Sequence, residues 1–373
     1  MTSGADGSSS RLLSLDAFRG LTIAGMILVN NPGSWSHIYP PLAHAVWHGW
    51  TPTDLIFPYF LFIVGVAIPF SFRRRLEEGA NRRDLFLHTV RRALVIVALG
   101  FLMRLIPDFD WGGMRWPGVL QRIGVVYLAA AGLYLGVGRQ GRAVWTALLL
   151  LGYWALMTLV PVPGFGAGDL SPEGNLAAYV DRALMDGHLY QGTWDPEGLL
   201  SSLPAVATSL LGIYTGEWLL TARPRQALTR GMLVAGALLT PAGWAWGLIF
   251  PINKNLWTSS YVVFTAGTAL LLFGALYWVV DVKKRRGPWL TPLLVYGTNA
   301  IAVFVLSGFM TKALGRIRVG GEDGTSLYGW IYREVFRSWA GDLNGSLAFA
   351  VTYVLLWLAL MTPLYRRRIF IKV

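Results

Sequence analysis

Three of the five histidines in this 373-residue chain, His37, His44 and His48, fall between Asn30 and Asp54. An imidazole, with an ordinary pKa of about 6.5, can take up or release a proton near neutral pH. Its neutral ring can also attack an acyl group and carry it covalently. The chain has no cysteine, which removes disulfides, Cys-ligated zinc and a thiol nucleophile from consideration. The histidine loop is therefore the first candidate for an active site. Asn30, before the loop near the outer end of the first apolar segment, either packs helices together or belongs to the site. Asp54, after it, can orient an imidazole or cap a helix N-terminus. Histidine spacings of seven and four in a proline-containing loop match no established ligand pattern, so no metal is expected.

Other polar residues interrupt apolar segments or border them. Gln121 and Arg122 lie inside one, where an arginine needs an anionic partner from another helix or from a ligand phosphate or carboxylate. Asp16 and Arg19, three apart, can pair on one helix face or help hold a ligand. Asn253, Lys254, Asn255 and Trp257 form a short polar link that reads as a turn or as a clamp for a sugar or carbonyl. Asp195 and Glu197 end an acidic segment, 161–198, that is either a solvated loop or an attractor for an amine-bearing substrate.

The elements that must position these residues are membrane helices. Hydrophobic residues make up 54% of the chain and charged residues 14%, with a mean hydropathy of +0.48. Crossing about 30 Å of hydrocarbon takes roughly 20 apolar residues. Ten segments qualify: 18–36, 54–72, 85–105, 117–137, 142–160, 199–221, 228–250, 258–280, 289–311 and 346–365. The expectation is an all-α, polytopic helix bundle of about ten transmembrane helices, one domain over 11–373, after a flexible tail at 1–10. Of the 32 basic residues, 22 fall on alternate connections, including seven arginines between 73 and 92, and nine on the others. Basic residues are retained on the cytoplasmic side, so both termini are expected there, with the His44 loop and segment 161–198 outside. The net charge of +12 follows from that retention beside anionic lipid and implies no nucleic-acid partner. The Gly-rich run 164–168 lacks the lysine and the strand–helix setting of a phosphate loop.

Several blocks together resemble the heparan-alpha-glucosaminide N-acetyltransferase family of transmembrane acyltransferases. These are Ser14–Gly20, then Asn30, His44–Pro58, Pro117–Gly124, Tyr179–Arg182, His188–Tyr190, Asp195–Gly198 and Asn253–Trp257, in the family's order over nearly the whole chain. The resemblance implies a membrane enzyme that takes the acetyl group of cytoplasmic acetyl-CoA to the amine of a glucosamine on the far side. It implies His44 as the catalytic histidine and Asn30 as part of the site. His48 departs from the pattern, standing where the animal enzymes have Asn. Residue chemistry agrees: acetyl transfer needs a base for the amine's proton and donors for the thioester oxyanion. Arg122 and Gln121, with Arg19 and Asp16, are the candidates to hold polar groups of CoA; Asn253, Lys254, Asn255, Trp257, His48, Asp195 and Glu197 are those to hold the sugar. An amino-sugar transporter is the competing reading, since intramembrane Arg and Asn would serve it as well. The short loops and the lack of cysteine point to a bacterial inner membrane, with a homodimer as one assembly open to it.

Overall fold

The computed structural model describes residues 12–321 and 324–371, so the tail expected at 1–10 lies outside the described residues. Helices follow one another from end to end: α1 Leu13–Asn30, α2 Ile56–Glu77, α3 Arg82–Leu105, α4 Val119–Gly136, α5 Arg139–Leu159, the short α6 Leu176–Met185, α7 Ser202–Leu219, α8 Arg225–Trp246, α9 Ser259–Tyr277, α10 Leu290–Thr298, α11 Ala300–Arg316, the single turn α12 Leu327–Trp330, and α13 Ser338–Arg366. Among the described residues the only strands are two antiparallel pairs of two residues each, at 161–167 and 318–326.

Each of the ten apolar segments contains a helix, but not each of these helices passes for a span by itself. Among the described residues seven are long and apolar enough to cross a membrane, or eight if α10 and α11, bent by 83° at Asn299, count as one. The two that fall short, α7 and α8, are rich in Gly, Ser, Thr and Pro. For α7 the packing gives the reason: it sits among α2, α4, α5 and α9, where close approach matters more than apolarity. A Cβ on Gly65 of α2 would lie 2.0 Å from the Ser209 carbonyl oxygen, and one on Gly212 of α7 2.2 Å from that of Phe62. Backbone touches backbone along this seam, and the Ser209 hydroxyl donates across it to the Leu61 carbonyl (2.8 Å).

Alternate connections gather at opposite ends of the bundle. At one end, Arg73 donates to Leu220 O, Ser14 N–H to Asp281, Arg225 to Asp281 O and Ile371 N–H to Asn299. The two ends of the described chain therefore share this basic end. At the other end the His44 loop meets the 251–258 link, the 106–118 connection meets 188–197, Trp47 Nε1 donates to Leu170 O, and Gly33 N–H donates to Ser346 O. The main apolar core runs between these two layers, through Phe57, Leu61, Ile123, Val126, Leu210 and Tyr261.

Candidate active site

The loop from Pro32 to Thr51 has almost no regular structure beyond the single turn Pro40–Leu42, so its side chains are placed by what they bind. Asp54 is the anchor. It sits in the turn Pro52–Leu55 that leads into α2, with only 1% of its side chain exposed. Its Oδ2 accepts the N–H groups of Ala45 and Thr51, both at 3.0 Å. Its Oδ1 lies 2.6 Å from Nδ1 of His44. Helix capping and imidazole orientation, alternatives in the sequence, are here two oxygens of one carboxylate. Because a carboxylate accepts only, Nδ1 of His44 carries the proton and its lone pair is on Nε2. The His44 side chain remains 43% exposed.

The 251–258 link closes the site from α8 and α9. Lys254 Nζ lies 3.2 Å from Nε2 and 3.0 Å from Nδ1 of His44, and 3.7 Å from Asp54 Oδ1. Only Nε2 can accept from it, since Nδ1 donates to Asp54. Burial lowers the Lys254 pKa below the ordinary lysine value, although Asp54 and Glu197 pull in the opposite direction. Asn253, fully buried, brings Nδ2 within 3.3 Å of Nδ1 of His48. Gly49, at φ +97°, takes a left-handed turn that lets its N–H donate to Ile252 O (2.8 Å) and ties the two loops together. Trp257, also left-handed at φ 51°, is 1% exposed; its Nε1 donates to Thr208 (3.1 Å) and its ring packs edge-on to Phe57 and Tyr261. Trp257 is thus a buried support under the link. Asn255 is half-buried beside it.

Arg122, 2% exposed, reaches the same end of the bundle. Its Nη2 donates to Gly198 O (3.0 Å) and Ser201 Oγ (2.5 Å), and its guanidinium lies 5.1 Å from the Trp257 ring. Its Nε and Nη1, and Nε2 of the neighbouring Gln121, are buried with no hydrogen-bond partner among the described residues. Arg19 and Asp16 pair at 2.9 Å at the opposite, basic end, where Arg19 also donates to Gly297 O. The four residues expected to hold CoA therefore divide between the two ends.

Asp195 and Glu197 are gripped by Arg115, which the sequence reading left out. Arg115 Nε and Nη2 donate to Asp195 at 2.7 and 2.5 Å, and Nη2 also meets Glu197. Burial raises the Glu197 pKa, but Arg115, Arg122 and Lys254 outweigh it and hold the carboxyl below the usual range. Burial opposes the Arg115 charge, but the two carboxylates win and its pKa is raised. Asp195 is 4% exposed and fully engaged here, so it builds the wall, whereas Glu197 is close enough to Lys254 to act on its charge. The signal for Arg115 was available: it is the one basic residue in 106–118, a connection on the same end as the acidic segment. Asn30 is exposed at the end of α1 with no side-chain hydrogen bond among the described residues, whereas the side chain of its neighbour Asn31 is buried and bonded to Ile27 O (2.7 Å) and Thr311 (2.6 Å). The histidines do not converge: His37 lies by Ser34 and Asp342, and no group of three or more His, Asp or Glu able to hold a metal occurs among the described residues.

A histidine oriented by a buried carboxylate, with a lysine at its free nitrogen, is an arrangement suited to proton transfer at an acyl centre. Residues 11–243 match the family model described as heparan-alpha-glucosaminide N-acetyltransferase, catalytic. The chain belongs to the heparan-alpha-glucosaminide N-acetyltransferase family. It is 33% identical over 354 residues to the heparan-alpha-glucosaminide N-acetyltransferase of Homo sapiens, covering 79% of this chain and 52% of that protein. To the Mus musculus protein of the same name it is 32% identical over 359 residues, covering 80% and 53%. The chain thus spans about half the length of these two relatives. For this family member, the His44–Asp54 pair lies within the matched region and Lys254 just beyond it.

Proposed function

We propose that the protein is a transmembrane N-acetyltransferase that passes the acetyl group of cytoplasmic acetyl-CoA to the amine of a glucosamine-type sugar at the periplasmic face of a bacterial inner membrane. The observation that carries this reading is the 2.6 Å contact between Asp54 and Nδ1 of His44, which leaves Nε2 as the base. In the direct route, the amine attacks the thioester carbonyl, its proton goes to Nε2 of His44, and the C–S bond breaks as that proton passes to the sulfur, releasing CoA as its thiol. In the alternative route Nε2 takes the acetyl group first, the C–S bond breaking to release CoA as its thiolate; the amine then attacks the acetyl carbon, the bond to Nε2 breaks, and the freed Nε2 takes the amine proton and gives it to the thiolate. In either, Lys254 must leave Nε2, and from there its ammonium can stabilise the oxyanion. The buried, unpartnered Nε and Nη1 of Arg122 are further donors at this end of the bundle, which makes Arg122 a group for the acyl end of the donor; Arg19 and Asp16 stand where the nucleotide end would enter. Glu197 and Asn253 are the groups for the sugar. In that orientation the basic end of the bundle is cytoplasmic.

The test is acetyl transfer in proteoliposomes, with labelled acetyl-CoA on the basic side and glucosamine on the other. Labelled N-acetylglucosamine from the parent and from His48→Ala, but not from His44→Ala, is the expected result. Accumulation of unmodified amino sugar across the membrane without acetylation would replace the enzyme with a transporter.

A further inference from the structure

On the membrane flank of the site, α3 and the 106–118 connection enclose an apolar groove of ≈ 530 Å³, lined by Ala98, Phe101, Leu102, Leu105, Met114 and Trp116. The groove is continuous with the site: Trp116 stacks on His188 at 3.9 Å, His188 Nδ1 bonds to Met114 O at 2.8 Å, and the next residue but one, Tyr190, lies under Arg115, which holds Glu197. Trp111 and Leu102 stay 64% and 41% exposed, so the groove opens sideways, away from the bundle. Arg104, one residue from Leu105, is exposed, and its side chain makes no hydrogen bond or ion pair among the described residues. It lies near the charges of Arg115, Glu197 and Asp195 and next along α3 to Leu105, which lines the groove. An apolar slot on the outer face of α3, a cation one residue from its lining and a run of packed polar residues from there to Glu197 match three parts of one molecule: a hydrocarbon chain, a phosphate and an amino sugar.

Resting on the acetyltransferase reading, we propose that the acceptor is a lipid-anchored amino sugar, joined to its hydrocarbon chain through phosphate. The chain lies in the α3 groove, the phosphate on Arg104, and the amine reaches His44. The reaction is unchanged: the amine N–C bond forms, the thioester C–S bond breaks, and His44 takes the amine proton and returns it to the departing sulfur, so that CoA leaves as its thiol.

The experiment compares polyprenyl-phosphate-linked glucosamine with free glucosamine as acceptors for the full chain in nanodiscs. The parent is expected to favour the lipid-linked acceptor at least about tenfold in kcat/KM, a ratio that falls about tenfold in Ala98→Trp, which fills the slot, and in Arg104→Gln. Mass spectrometry of the purified protein reads binding separately: the parent retains the polyprenyl lipid and Ala98→Trp does not. A parent that acetylates free glucosamine as well as the lipid-linked form, or retains no lipid, overturns the inference and leaves the acetyltransferase standing. Lipid retained through the groove with neither acceptor acetylated overturns the acetyltransferase instead.

Discussion

Asp54 does at the residue scale what neither of its two readings alone required. One oxygen fixes the start of α2 and the other fixes the tautomer of His44, so the helix end and the imidazole are set by the same buried charge. Replacing His44 with Ala is expected to lower kcat by about 10²–10⁴. Asp54→Asn should cost at least about 10-fold, because an amide can present N–H to Nδ1 and turn the proton onto Nε2. Initial-rate assays on both, with expression and monodispersity as controls, check this; an Asp54→Asn enzyme of parental kcat would remove the tautomer argument. Lys254→Met should lower kcat, and a raised KM with unchanged kcat would make the lysine a ground-state binding group. Asn30, a candidate from both its position and the resemblance, keeps an exposed side chain with no hydrogen bond among the described residues, while Asn31 takes the buried place. In sequence the two differ by nothing but position.

At the scale of elements, the acidic segment becomes a wall built on two buried carboxyls. Asp195 is neutralised by Arg115, but Asp181 on α6, 1% exposed, is driven by burial to a pKa of about 7, although Leu199 N–H bonds to it. The unfolded chain loses this proton near the ordinary aspartate value and the folded chain near 7. Between those values the folded state binds more protons, so stability falls as pH rises and levels off above about 7. Thermal unfolding from pH 4.5 to 8 should show this decline in the parent and a flatter profile in Asp181→Asn; identical profiles would clear Asp181 of the effect. Arg115→Gln leaves Asp195 and Glu197 buried without their cation, a loss of about 3–5 kcal/mol by analogy with broken buried pairs. The readout is the fall in unfolding temperature, partly restored by Arg115→Lys. The seam between α2 and α7 allows no side chain at Gly212, so Gly212→Val should lower folded yield sharply in size-exclusion profiles.

For the whole molecule, the outstanding question is which end faces which compartment. The absence of native cysteine makes a direct measurement available. Val46→Cys, at a residue 97% exposed beside His44, should react with an impermeant maleimide from outside intact cells. Gln140→Cys, exposed at the opposite end, should react only after the membrane is opened. The reverse pattern would invert the orientation and put the site in the cytoplasm. The structure does show that alternate connections meet at common ends, as the charge segregation required.

Class and family were legible in the sequence, whereas the first helix begins at Leu13, five residues earlier than expected, and the segment 289–311 is broken at Asn299. Apolar runs of spanning length admit few other structures in lipid, and the ordered blocks from Ser14 to Trp257 carry the family. The contact between His44 and Asp54 was legible too, because the two lie in one local loop with its own hydrogen bonds. What only the tertiary structure decided is which distant residues join them. Lys254 reaches His44 across 210 residues of sequence, and Arg115 reaches Asp195 across 80. It also decided that Arg122 and Arg19, alike in sequence as arginines of membrane helices, serve opposite ends of the bundle. Hydropathy reports each helix against lipid, one at a time. The packing of small residues between helices, as along α2 and α7, selects the neighbours, and with them the side chains that meet at the site.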